Sequence, residues 1–196
     1  LVRDVNKPRF VPFADNILTT DFAEILDDPR IQIIVELMGG EKPAEEYIRA
    51  ALGSGKSVVT ANKEVMAKYG SELLALATSN GLSLHFEGAV GGAIPIVGPL
   101  TKDLLGNEIH SIHAIINGTT NFILTMMAYD GMTAEDALKL AQELGYAEAD
   151  PSNDVDGVDA AYKIAILASL AFHSPISSED VFRDGIVRLH ARDFRY

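Results

Sequence analysis

Residues 31–40 read IQIIVELMGG, and the fold turns on how that run is read. Ile31, Ile33, Ile34 and Val35 are β-branched and barely alternate with polar residues. That pattern predicts a parallel strand covered on both faces, ended by Gly39 and Gly40. Working outward, residues 43–52 read as a helix with Pro43 at a favourable early position, and KSVVT (56–60) reads as a second strand. Residues 62–78 form an amphipathic pattern, and 82–87 a third strand after a turn at Gly81. Strands alternating with helical patterns of this length predict βαβ units and a parallel sheet. Upstream, DFAEILDD (21–28) predicts a short helix stopping before Pro29.

Ligands of such sheets gather beyond the carboxyl ends of the strands. Three segments lie there: MGGEK, TANK and EGAVGG. Lys63, at the end of TANK, is placed to hold an anion or deliver a proton; the plainer alternative has Asn62 capping a helix and Lys63 reaching solvent. The glycines of GAVGGAIP (88–95) permit tight turning and expose backbone groups to an anion or a hard cation. They equally suit a hinge.

After Gly92 the rhythm changes. Residues 95–105 read as a helix, and EIHSIHAII (108–116) partly alternates, as in a sheet with one protected face. The turn INGTTN offers hydroxyls and amides to a polar ligand or to a helix entrance. Residues 132–144 predict a helix capped by Thr133, and residues 159–172 an apolar helix. The reading weakens beyond Pro175, with HARDFRY opening a helix. The domain boundary is expected near residues 91–95.

The segment GYAEADPSNDVDGVDAAYK (145–163) sets Glu148, Asp150, Asp154, Asp156 and Asp159 ahead of Lys163. An EF-hand fails here, because Ser152 and Lys163 occupy the first and last ligand positions. Asp159 can cap the helix or pair with Lys163 one turn on. Capping accounts for the loop but not for so many acids, so a ligand bearing an amine or hydroxyl stands as the alternative.

Composition narrows the classes. The chain has 196 residues, a formal charge of −12, 47% hydrophobic residues and no cysteine. Few cations remain for a nonspecific grip on nucleic acid, no apolar run is long enough for a membrane span, and disulfide and thiolate chemistry is excluded. Five histidines without an HxxxH pair give no metal cage. No GxGxxG is present. Leu1 and Val2 read as the tail of a buried strand, so the chain is expected to start inside a domain. Arg3, with Lys7 and Arg9 close behind, suits a site for an extra ribose phosphate, whereas Asp4 beside it suits free ribose hydroxyls.

AQELGYAEADPSNDVDGVDAAYK resembles the signature of homoserine dehydrogenase, and VVTANKEVMAKYG, FEGAVGGAIPI and INGTTNFIL resemble that family's other hallmark segments, in the family's order. The resemblance implies an α/β protein: a Rossmann-like nucleotide-binding domain over residues 1–93, incomplete here, then an α+β substrate and dimerisation domain over 94–196. It implies interconversion of L-aspartate 4-semialdehyde and L-homoserine with NADP or NAD, in the cytoplasm, on the branch to threonine, isoleucine and methionine.

Carried over by residue, Lys63 corresponds to the proton donor, and Asp159 and Lys163 to the pair holding the reacting oxygen and a water. Glu148 and Asp154 correspond to acids around the substrate ammonium, and Gly118 and Thr119 line that pocket. Arg3, Gly39, Asn62 and Lys63 fall on the cofactor side. The carbonyls of Glu87, Val90, Gly92 and Ile94 match a monovalent-cation site, usually sodium. The family's partners would be a small amino-acid substrate and a second copy, as homodimer or homotetramer, with a fused kinase or regulatory domain in some members. The family normally begins with a strand and glycine-rich loop and closes with a further segment, so a fragment is expected. The alternatives are a noncatalytic dimerising or amino-acid-sensing module, and an oxidoreductase for another small polar aldehyde.

Overall fold

The computed structural model describes residues 1–14 and 17–194. The chain divides into two compact units: Leu1–Val65 with Tyr69–Phe86, and Met66–Lys68 with Glu87–Tyr196.

In the first unit, helix α1 (Phe22–Asp27) starts where the Asp21 carboxylate accepts the Ala23 N–H. Strand β1 (Ile33–Glu36) leads to α2 (Ala44–Gly53), then β2 (Ser57–Thr60), α3 (Lys63–Ser79) and β3 (Leu84–His85). The sheet is parallel, in the order β1-β2-β3, with Ile33 opposite Ser57 and Val58 opposite Leu84. The third strand is shorter than the sequence predicts, because the chain turns into a 3-10 turn at Glu87–Ala89. Val58, Leu84, Ile48, Leu52, Val65 and Leu73 are buried in this unit's core.

In this chain the first strand is covered on one face, where the sequence predicts cover on both. Ile33 and Val35 are each 61% exposed and Leu37 72%, whereas Glu36 and Val58 are buried. Topology supplies the reason: right-handed crossovers between strands laid down in one direction put both helices on the same face. A β-branched run does not reveal whether one face or two is protected. Leu1 and Val2 lie outside the strands formed by the described residues; the Val2 N–H donates to the Thr19 carbonyl at 2.8 Å.

In the second unit, a short π-helical segment (Pro99–Asp103) replaces the helix expected over 95–105. Residues 108–116 run as irregular chain, not as the expected strand. Alternation alone makes no strand; a ladder partner must take its N–H and C=O groups, and among the described residues no strand pairing involves this stretch. Helices α4 (Gly118–Tyr129) and α5 (Ala134–Glu143) pack through Ile123, Met127, Ala137 and Ala141, closed by Val155 of the short α6 (Ser152–Val155). Thr133 caps α5 as expected. Helix α7 (Val158–Ala171) follows, apolar on most sides, with Ala161, Ala165, Ile166 and Leu167 buried. Ala191–Phe194 makes one 3-10 turn; the remainder of the helix expected from HARDFRY lies outside the described residues.

Candidate functional site

In the first unit, two strand exits are tied together. Glu36, buried at the end of β1, accepts the Met38 N–H at 2.6 Å and the Thr60 hydroxyl at 2.5 Å. Thr60 Oγ1 in turn accepts the Asn62 N–H at 3.0 Å. Asn62 caps α3, its Oδ1 accepting the Val65 N–H, while its Nδ2 donates to the Gly40 carbonyl at 2.7 Å. The MGG loop and the TANK turn are therefore held by one carboxylate, one hydroxyl and one carboxamide. Gly39 and Gly40 both have φ of 72°, a conformation glycine adopts without a Cβ penalty. Lys63, half-buried, is the first residue of α3. Arg3 stands exposed in the N-terminal loop, where Arg9 folds back onto the carbonyls of Asp4 and Lys7.

In the second unit, the loop over residues 87–98 is clasped by the Glu87 carboxylate, which accepts N–H bonds from Ile96, Val97 and Gly98 at 2.6–2.8 Å. Burial pushes the Glu87 carboxyl up, but these N–H groups outweigh it and hold it below the ordinary carboxylate value. Within that loop Gly91 is required by space as well as by its φ of 75°, since a Cβ there would lie 3.0 Å from the Ile94 carbonyl oxygen. Val90 is buried, Gly92 has φ of 59°, and Ile94 is exposed.

The acidic turn folds back on the INGTTN turn. Gly157, in the left-handed region, precedes α7 without a side-chain cap. Asp159 therefore does not cap the helix, contrary to one of the two sequence readings. Its carboxylate, 3% exposed, faces inward and accepts the Lys163 ammonium at 2.8 Å. Lys163 also donates to the Ile116 carbonyl at 2.9 Å. Asn117 donates to Asp154 Oδ1 at 2.7 Å and to Asp159 Oδ2 at 2.9 Å. Thr119 donates to the Tyr146 carbonyl at 2.8 Å, and Gln142 holds the Glu148 carbonyl at 3.0 Å, leaving the Glu148 side chain exposed.

The structure thus gathers Thr119, Asp154, Asp159 and Lys163 within one unit, with Gly118 adjoining; Lys63, Asn62 and Gly39 belong to the other unit. Two connecting residues escaped the sequence reading. Asn117 was legible only as part of a polar turn, and Glu36 looked like one more residue of a strand. The signal for Asn117 was its place three residues before Thr120 at a helix entrance.

A half-buried ammonium paired with a buried carboxylate, beside a second carboxylate, forms a fixed cationic point next to an acceptor surface. Such a cluster can polarise an oxygen and seat an ammonium-bearing molecule. Among the described residues no helix is long and apolar enough to cross a membrane.

Comparison with known proteins adds independent findings. The family model described as homoserine dehydrogenase matches residues 95–196, and that described as homoserine dehydrogenase, NAD binding domain, matches residues 1–87. The chain is 51% identical to homoserine dehydrogenase of Synechocystis sp. over 195 residues, and 46% identical to that of Bacillus subtilis over 196; each alignment covers 100% of this chain and 45% of the relative. A homoserine dehydrogenase structure from Thiobacillus denitrificans superposes with a TM-score of 0.87 at 48% identity, over 91% of this chain and 41% of that one. One from S. aureus gives 0.83 at 42% identity, over 99% and 47%. The chain thus spans less than half the length of these relatives. With a Rossmann-like NAD-binding domain first and an α+β domain after it, the chain belongs to the homoserine dehydrogenase family.

Proposed function

We propose that the protein carrying this chain interconverts L-aspartate 4-semialdehyde and L-homoserine with NADPH or NADH, a step of threonine, isoleucine and methionine biosynthesis. The observation that supports this best is the Asp154–Asn117–Asp159–Lys163 cluster, formed by the segments that match the family model. The domain division is proposed at residues 93 and 94.

In the reducing direction a nicotinamide cofactor, when bound, would supply a hydride for the aldehyde carbon, so that negative charge develops on the aldehyde oxygen. The Lys163 ammonium, held in place by Asp159, stabilises that oxygen through a preorganised hydrogen bond. Lys63 delivers the proton that completes the hydroxyl and is left as the amine. In the oxidising direction the same amine takes the proton back. Asp154 and Glu148 hold the substrate ammonium, which gives the acid excess of the turn a purpose that helix capping does not. Gly118 and Thr119 line the pocket. Asn62 and Gly39 shape the rim on the cofactor side, and Arg3 receives the extra phosphate, favouring NADP over NAD. The carbonyls of Glu87, Val90, Gly92 and Ile94 are proposed to hold a monovalent cation, sodium first. The assembly is proposed as a cytoplasmic homodimer or homotetramer.

The test is NADPH oxidation with L-aspartate semialdehyde in the full-length protein carrying this chain, compared with its Lys63→Ala variant. Turnover should fall about a hundredfold or more in the variant, the usual scale of lost acid–base catalysis, at unchanged cofactor KM. Equal turnover removes the role of Lys63. Cofactor or amino-acid binding without any oxidation removes the enzyme reading and favours a sensing module.

A further inference from the structure

We infer that Asn117 is a positioning residue that fixes the spacing and orientation of Asp154 and Asp159, and this rests on the dehydrogenase reading given above. The carboxamide is buried, at 8% exposure. Its orientation is settled by chemistry: the Thr120 backbone N–H, 2.8 Å away, can only donate, so the atom it meets must be Oδ1. Thr120 Oγ1 adds a second contact to the same oxygen at 2.9 Å. Nδ2 must then face the acids, one N–H reaching Asp154 Oδ1 and the other Asp159 Oδ2. Two acceptor and two donor positions of the amide are thereby filled.

Two carboxylates brought to one point repel each other unless donors separate them. Here the same carboxamide satisfies both, while Lys163 binds Asp159 Oδ2 from another side and holds the neighbouring Ile116 carbonyl. The start of α4 is thus locked to the start of α7 through a side chain and a main-chain carbonyl. Asp154 is connected to the Lys163 pair only through Asn117 in this set of bonds. A helix cap alone would need just the oxygen; the nitrogen, aimed at two acids, assigns the residue a second task.

Asn117→Asp separates the two tasks. Aspartate caps a helix as well as asparagine, so an Asn117 that only caps predicts a silent substitution. A positioning Asn117 predicts otherwise, because the substitution turns a shared donor into a third acceptor facing two acids. In the full-length protein, homoserine oxidation should lose about a hundredfold in kcat, the scale set by a misplacement near one ångström, at unchanged cofactor KM. Turnover within threefold of the parent, roughly the scatter of a neutral change, would overturn the inference.

Should the variant not fold, the parent chain decides. In proton–nitrogen spectra the Asn117 carboxamide protons should exchange about tenfold or more slower than those of exposed Asn153; equal rates overturn the inference. An unsubstituted protein without turnover would sink the dehydrogenase reading, and the exchange measurement would then judge Asn117 by itself.

Discussion

Helices α3 and α4 begin with the same device and use it to different ends. Each starts at a buried asparagine whose Oδ1 accepts the N–H three residues on, Val65 in one case and Thr120 in the other. The other half of each amide differs. Asn62 Nδ2 meets the carbonyl of Gly40, an exposed glycine. Asn117 Nδ2 meets two carboxylates, one of them almost fully buried. An uncharged carbonyl that loses its donor at the surface turns to water; a buried carboxylate has no such recourse. The worth of a capping asparagine is therefore set less by the helix than by what its nitrogen touches.

The hardest blow to that contrast falls on the charge in the second cluster. Lys163→Met keeps most of the length and the apolar character of the stem but removes the Lys163 cation from Asp159, whose side chain is 2% exposed. Breaking a buried pair from one side costs about 3–5 kcal/mol, since the remaining charge stays desolvated. Urea unfolding of the variant should show a loss near the lower end of that range, because the lysine side chain itself is 18% exposed. A loss below about 1 kcal/mol, the level of an exposed pair, would mean that the other partners of Asp159 hold it well enough without the lysine.

Glu87 sharpens the comparison, because it does with a carboxylate what the two asparagines do with an amide. Its oxygens accept three successive N–H groups, from Ile96, Val97 and Gly98. Gly98 allows the close approach, since a Cβ there would sit 3.3 Å from Glu87 Oε2. An asparagine cap does not titrate, but this clasp does. Its folded pKa lies below the ordinary 4.5, so the clasp stabilises the fold fully above that value. The contribution drains away as pH falls through the lowered one. Glu87→Gln turns one amide N–H toward the Gly98 N–H and should cost about 1 kcal/mol at neutral pH. It should also flatten the acid limb of stability against pH below 4.5. An unchanged acid limb would show that other carboxylates govern acid unfolding.

These cases also show what a sequence reveals. The β-branched runs and the caps at Asn62 and Thr133 are local signals, and the structure places helices and parallel strands close to where they point. The Asp159–Lys163 pair was legible for the same reason, being one helical turn apart. The links from Asn117 span 37 and 42 residues, and no periodicity encodes a contact at that range. The face carrying Ile33 and Val35 lies open in this chain, and a run of β-branched residues looks alike whether one side or both are covered. Residues 108–116 pair with no strand among the described residues, because alternation specifies a face and not a neighbour.

The smallest expected effect closes the contrast between the two caps. Asn62→Asp keeps the oxygen that accepts the Val65 N–H, and it places a negative charge at the start of α3, where the helix dipole favours it. What is lost is the donor to the Gly40 carbonyl. Gly40 is exposed and sits in a glycine pair, so its carbonyl can rotate toward water with little strain. The net change in unfolding free energy should stay within about 0.5 kcal/mol, measured by urea unfolding beside Asn117→Asp, which should lose several times more. If the two substitutions destabilise equally, the partner of the amide nitrogen does not matter, and the distinction between a cap that only starts a helix and one that organises acids disappears.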